Sequence, residues 1–171
     1  MKISIRLPLA VLILSLMTAT IGFPGENENF DLKALEGDWE GRGSFLMPVT
    51  HANMSLDGAA RFDYDSAGGY LRTSLTGEKF FFTYSDSGHL VMDNKTDSIS
   101  WEVWDNFGKH AKYFGTVDGN KVTGDRYKKE HYYNVTIELV TADSIDFRLT
   151  VTDPDGDKYT RASFNLWRVR D

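Results

Sequence analysis

The chain has 171 residues, 19 basic and 25 acidic side chains, a formal charge of −6 and no cysteine. The acidic balance and the lack of a dense basic stripe argue against nucleic acid as a partner. The absence of thiols removes disulfides, thiolate nucleophiles, zinc–thiolate centres and redox dithiols.

At the N-terminus Lys2 and Arg6 flank the start of an apolar run from Leu7 to Met17, and small residues follow from Thr18 to Gly22. That order is the layout of a secretory signal peptide. The run is shorter than the roughly 20 apolar residues of a bilayer-spanning helix. The expectation is a signal peptide over residues 1–22, with Ala19 and Thr20 as competing cleavage positions, and export to a periplasmic or extracellular space. About 150 residues then follow, enough for one domain with its own core. No membrane span is expected after cleavage. Residues 23–30 read as a polar lead-in, and residues 31–171 as the folded domain.

Asp31 is placed to cap a short helical turn that carries Leu32 and Leu35 on one side. Everything beyond reads as strands. Met54, Leu56, Gly58, Ala60, Phe62 and Tyr64 alternate with polar or small residues, a period of two that no helix fits. Shorter strands are expected at Tyr70–Leu75, Lys79–Tyr84, His89–Met92, Ile99–Trp104, Lys112–Val117, Lys121–Tyr127, Tyr132–Leu139, Ile145–Val151 and Thr160–Val169. Turn chemistry separates them at residues 66–69, 85–88, 118–120 and 153–156. Such short, even spacing makes consecutive strands hairpin neighbours. A meander this long must close or split, because open twisted sheets leave reactive edges. Periodicity alone leaves barrel and sandwich open.

The most informative stretch is Leu35-Glu-Gly37-Asp-Trp39-Glu-Gly41-Arg-Gly43, a Gly-x-Trp just after a helical turn and entering the first strand. With Trp101–Gly108, Gly115–Gly119 and the terminal strand around Trp167, Arg168 and Arg170, it resembles the lipocalin-like β-barrel families, among them nitrobindin and uncharacterised exported bacterial proteins. The resemblance covers roughly residues 32–170. It implies an all-β fold: a closed, antiparallel, up-and-down barrel of about ten strands behind a short helical turn. It also implies structural closure by Trp39 with Arg168 or Arg170 lying over it, and a cavity for a hydrophobic or planar small molecule. Nitrobindin-like barrels hold haem through a His near the C-terminal strands. Here His51, His89, His110 and His131 all precede the last 40 positions, so no haem or other cofactor is expected.

The four histidines are scattered and lack metal-ligand spacing, so no metal site is expected. Residues 153–157 place glycine at the fourth position of an acidic loop, where an EF-hand needs it at the sixth, and a hairpin turn accounts for them. Asn53, Asn94 and Asn134 each head a glycosylation sequon, which has meaning only in a eukaryotic secreted protein. No nucleophile elbow or phosphate-cradling loop is present.

Aromatic residues are the stronger pointer to a ligand, in runs at Phe80–Tyr84, Trp101/Trp104, Tyr113/Phe114 and Tyr132/Tyr133. Parity sorts the strand charges. Arg148 lies opposite the apolar face of Ile145–Val151, and Glu102 and Trp104 lie opposite Trp101. Arg126 shares a face with Val122 and Gly124. The candidate ligand-binding set is therefore Arg126, Trp101, Tyr113 and Phe82, with no catalytic residue assigned. The expected function is exported binding of an apolar or amphipathic small molecule. A filled-barrel interaction module, and a barrel-cavity enzyme such as an isomerase, cyclase or hydrolase, stay open as alternatives. The sequence does not fix the oligomeric state.

Overall fold

The computed structural model describes residues 30–47, 50–80 and 82–170. The expected signal peptide, residues 1–22, and nearly all of the expected polar lead-in lie outside these residues. A 3-10 turn, Leu32–Leu35, precedes ten strands: β1 (Gly37–Leu46), β2 (Asn53–Asp65), β3 (Tyr70–Lys79), β4 (Phe82–Asp93), β5 (Ser98–Asp105), β6 (His110–Asp118), β7 (Lys121–Lys128), β8 (His131–Thr141), β9 (Ser144–Thr152) and β10 (Lys158–Arg168). Each strand pairs antiparallel with its sequence neighbours, and β10 returns to β1 to close the barrel. The seam runs from Trp39↔Arg168 to Phe45↔Ala162. Among the described residues no helix is long and apolar enough to cross a membrane.

The alternation read in the sequence sets which side of each strand faces in. On β2, Leu56, Gly58, Ala60 and Phe62 are buried between exposed neighbours. On β9, Ile145, Phe147 and Val151 are buried while Arg148 is exposed and pairs with Asp146. The pleat sends successive side chains to opposite faces, so one register places the whole apolar set inside.

One expected boundary is overturned. Lys79–Tyr84 is not a strand, and residues 85–88 are not a turn. The hairpin bends at Phe80, whose φ is +48°, and β4 runs unbroken from Phe82 to Asp93. Gly88, opposite Thr73 in the ladder, serves close packing: a Cβ there would lie 2.2 Å from the Glu102 carbonyl oxygen. Its small, polar neighbours mimic turn composition, but the glycine is there for space.

The two ends of the barrel differ. At one end the 3-10 turn, capped by Asp31 accepting from the Lys33 N–H at 2.9 Å, buries Leu32 and Leu35. Trp39 is fully buried beside them and donates its Nε1–H to the Leu35 carbonyl at 2.9 Å. Arg168 lies over the Trp39 ring, 4.2 Å from its centroid, and donates to the carbonyls of Ala34 (2.8 Å) and Glu36. This end is shut.

The middle of the barrel is filled. A glycine corner formed by Gly43, Gly58 and Gly77 on three adjacent strands accepts the Phe164 ring. A Cβ at Gly43 or Gly58 would meet that ring at 2.3 or 2.5 Å. Trp101 donates its Nε1–H to Thr73 Oγ1 at 3.0 Å and meets Phe147 edge-on at 6.5 Å. The enclosed space left there is about 10 Å3, bordered by Thr73, Asp86, Trp101 and Phe147, room for one water molecule at most.

Candidate functional site at the open end of the barrel

The hairpins β1–β2, β3–β4, β5–β6, β7–β8 and β9–β10 surround the opposite end, which no helical turn among the described residues covers. The inward positions nearest these hairpins change character from aliphatic to aromatic and charged. On one wall the Phe45 ring stands 5.8 Å from both Phe82 and Tyr84, and Phe107 of the β5–β6 hairpin approaches Tyr84 at 6.4 Å. On the other, Arg126 lies over Tyr133 at 5.0 Å and Tyr113 at 5.6 Å. Tyr113 then meets Trp101 at 6.0 Å.

The structure thus brings Arg126, Tyr113 and Trp101 into one contact chain, with Trp101 as its deepest member. Phe82 stands at the same end of the barrel but joins through Phe45. Val122 and Gly124, which share the Arg126 face, are buried. Trp39 and Arg168 sit at the shut end. Glu102 and Trp104 lie on the outer face, where Glu102 meets His110 at 2.7 Å and Trp104 stacks on the same imidazole at 5.1 Å.

Asp86 and Arg161 are among the residues at the open end that sequence reasoning missed. Asp86 sits inside β4, opposite Leu75. Its Oδ2 accepts from the Tyr84 hydroxyl at 3.0 Å, while its Oδ1 is enclosed without a hydrogen-bond partner. Burial raises the carboxyl to about 6, against the pull of the Tyr84 hydrogen bond and the Leu75 amide. Burial also pushes the Tyr84 hydroxyl up, reinforced by Asp86 beside it. The signal for Asp86 was its parity with Leu90 and Met92, legible only once β4 is taken as continuous.

Arg161 is the second. The β9–β10 register slips between Thr160 and Ala162, so Arg161 is the extra residue of a bulge. Counting alternate positions back from Phe164 sends it outward. Instead its guanidinium lies 5.0 Å from the centroid of the inward-facing Phe45 ring, and burial lowers its pKa from the usual arginine range.

Arg126 carries a polar atom without a partner: its Nε is enclosed and makes no hydrogen bond. The other mouth acid, Asp105, is engaged by its own hairpin, its Oδ1 accepting from the backbone N–H groups of Phe107 (3.0 Å) and Lys109 (2.8 Å). The arrangement therefore offers planar apolar faces, guanidinium donors and one protonatable carboxyl at one end of the barrel. Among the described residues no group of three His, Asp or Glu side chains is placed to hold a metal. Of the sequon residues, Asn53 and Asn94 are exposed, whereas Asn134 donates to Asp125 at 2.7 Å and is half-buried.

No family model matches this chain, and no curated protein matches it. Solved structures do. Rv2717c from M. tuberculosis aligns with a TM-score of 0.61 at 16% identity, over 81% of this chain and 95% of that one. A protein of unknown function from the DUF3598 family, from Nostoc punctiforme PCC 73102, aligns with a TM-score of 0.55 at 11% identity, over 84% of this chain. This chain spans about half of that longer protein, 51% of its length. At such identities the likeness is one of fold, and what it establishes is an antiparallel β-barrel.

Proposed function

We propose that the protein binds an apolar or amphipathic small molecule at the open end of its barrel. The observation that carries this reading is the enclosed, unpartnered Nε of Arg126 among the rings of Tyr113 and Tyr133. Leaving a buried donor unpaired costs roughly 1–3 kcal/mol, more when it is charged. A few polar groups converging in a mostly aromatic opening is the usual composition of a small-molecule site. The filled middle of the barrel limits the ligand to the mouth, with Trp101 as the floor. A lipocalin-like affiliation is part of the reading, supported by the Gly37–Trp39 motif and the Arg168 guanidinium over Trp39. Export is also part of it, supported by the basic, apolar and small-residue order of residues 1–22.

The enclosed space of about 10 Å3 favours a second reading, a filled-barrel module that binds no small molecule. Titration with the neutral planar fluorophore N-phenyl-1-naphthylamine separates the two. Ligand binding predicts a saturable one-to-one signal that weakens at least fivefold in Tyr113→Ala. A folded protein that gives no saturable signal, with this probe or with alkyl acids and alcohols, leaves the filled module.

A further inference from the structure

We propose that the mouth selects ligands bearing an anionic group, a carboxylate on an apolar or planar body, held by Arg126 and Arg161. This rests on the mouth being a ligand site, and it assigns that ligand its chemical class.

The basis is a contrast among the arginines. Six of the described arginines have an aspartate within ion-pair distance: Arg42 with Asp57, Arg61 with Asp38 and Asp63, Arg72 with Asp65, Arg148 with Asp146, and Arg168 and Arg170 with Asp143. All of those pairs lie on the outside of the barrel or at its shut end. Among the described residues, Arg126 and Arg161 have no such carboxylate. They are the two that point into the mouth, and both rest on aromatic rings instead. Every other described arginine has an aspartate beside it; these two have none.

The neighbouring acids do not fill the gap. Asp105 is turned into its hairpin and Asp86 is held by Tyr84. Tyr133 relates the two guanidiniums: Arg126 pairs with it and lies over its ring, and the ladder continues level from Tyr133 through Val151 to Tyr159, two residues before Arg161. Stacking a guanidinium on an aromatic face leaves its in-plane N–H donors free to take a planar oxyanion side-on. Low local dielectric strengthens that contact relative to bulk water. The aromatic wall of Phe45, Phe82 and Tyr84 then receives the apolar body.

The test compares decanoate with decanol by displacement of N-phenyl-1-naphthylamine, at fixed ionic strength, in wild type, Arg126→Met, Arg161→Met and the outer-face control Arg148→Met. Wild type is expected to bind decanoate at least tenfold more tightly than decanol. That preference should fall toward unity in both mouth variants and persist in Arg148→Met. A wild-type far-ultraviolet circular dichroism spectrum and cooperative thermal unfolding certify that each variant is folded, and Arg126→Lys should keep part of the preference. Equal affinity for acid and alcohol in wild type, or a preference untouched by Arg126→Met and Arg161→Met, overturns the anion assignment while leaving a binding mouth. Failure of the fluorophore, the acid and the alcohol alike overturns both.

Discussion

The Arg168 guanidinium and the Trp39 indole stand 4.2 Å apart across the seam between the last strand and the first, directly paired in the β1–β10 ladder. The guanidinium also binds the carbonyls of Ala34 and Glu36, so a single side chain ties the helical turn, the first strand and the last together.

Arg168→Met removes the cation–π contact and the charge-assisted hydrogen bonds at once. It is expected to lower unfolding free energy by about 2–3 kcal/mol in urea titrations followed by tryptophan fluorescence. Arg168→Lys should recover less than half of that, because an ammonium cannot stack and fork together. A loss below about 0.5 kcal/mol for Arg168→Met would mean the seam is held by strand pairing alone.

Asp86 gives stability an inverted pH dependence. Its folded pKa is about 6, above the roughly 3.9 of an unfolded aspartate, so the native state holds the proton more tightly. The associated stability is complete below about pH 4 and is lost as pH rises through 6. Asp86→Asn should therefore raise stability above pH 7, by up to about 3 kcal/mol, and flatten the slope between pH 4 and 6. Asp65 acts oppositely in a lower window. The Gly68 amide and then Arg72 hold its carboxyl at about 2, so its contribution is present above pH 4 and fades as pH falls toward 2. A wild-type profile that rises between pH 4 and 6, unaltered in Asp86→Asn, would contradict the assignment.

Gly58→Ala puts a methyl where the Phe164 ring lies 2.5 Å from the added carbon. The single change is expected to cost about 2 kcal/mol through overpacking. Combined with Phe164→Leu it should cost less than the sum of the two single changes by about 1 kcal/mol or more. Simple additivity in the double-mutant cycle would show that the ring and the glycine corner are not coupled.

Thr73→Val keeps the shape of a buried residue and deletes the acceptor of the Trp101 indole N–H. Leaving that donor unpaired should cost about 1–3 kcal/mol. Thr73→Ser, which keeps the hydroxyl, should restore indole hydrogen bonding, read from the Trp101 Nε1–H chemical shift. Equal stability of Thr73→Val and wild type would show that the bond contributes nothing.

The sequence carried the barrel well because alternation and turn residues report directly on a two-sided sheet. Val122, Gly124 and Arg126 share the inner face that their spacing assigns. It misled where composition imitated a different cause. Ser85, Asp86, Ser87 and Gly88 have turn chemistry, yet Gly88 is needed for the close approach of Glu102, and the bend falls at Phe80. The bulge at Arg161 reverses parity for one residue, and no local pattern marks it. Both misses hid mouth residues, so half of the polar equipment at the open end became visible only in three dimensions. The depth available to a ligand was also illegible, since it depends on Phe164 reaching into glycines on three other strands.

The seam has a further consequence for synthesis. Nine of the ten pairings in the ring join strands that follow each other in the chain, so each forms as soon as its second strand emerges. The tenth joins β1 to β10 and waits for the last residues of the domain. Until then the growing sheet has two bare edges, and every nascent chain is a template for its neighbours on the same message. Placing Arg168 at the final strand position makes arrival of the end of the domain the event that withdraws both edges together.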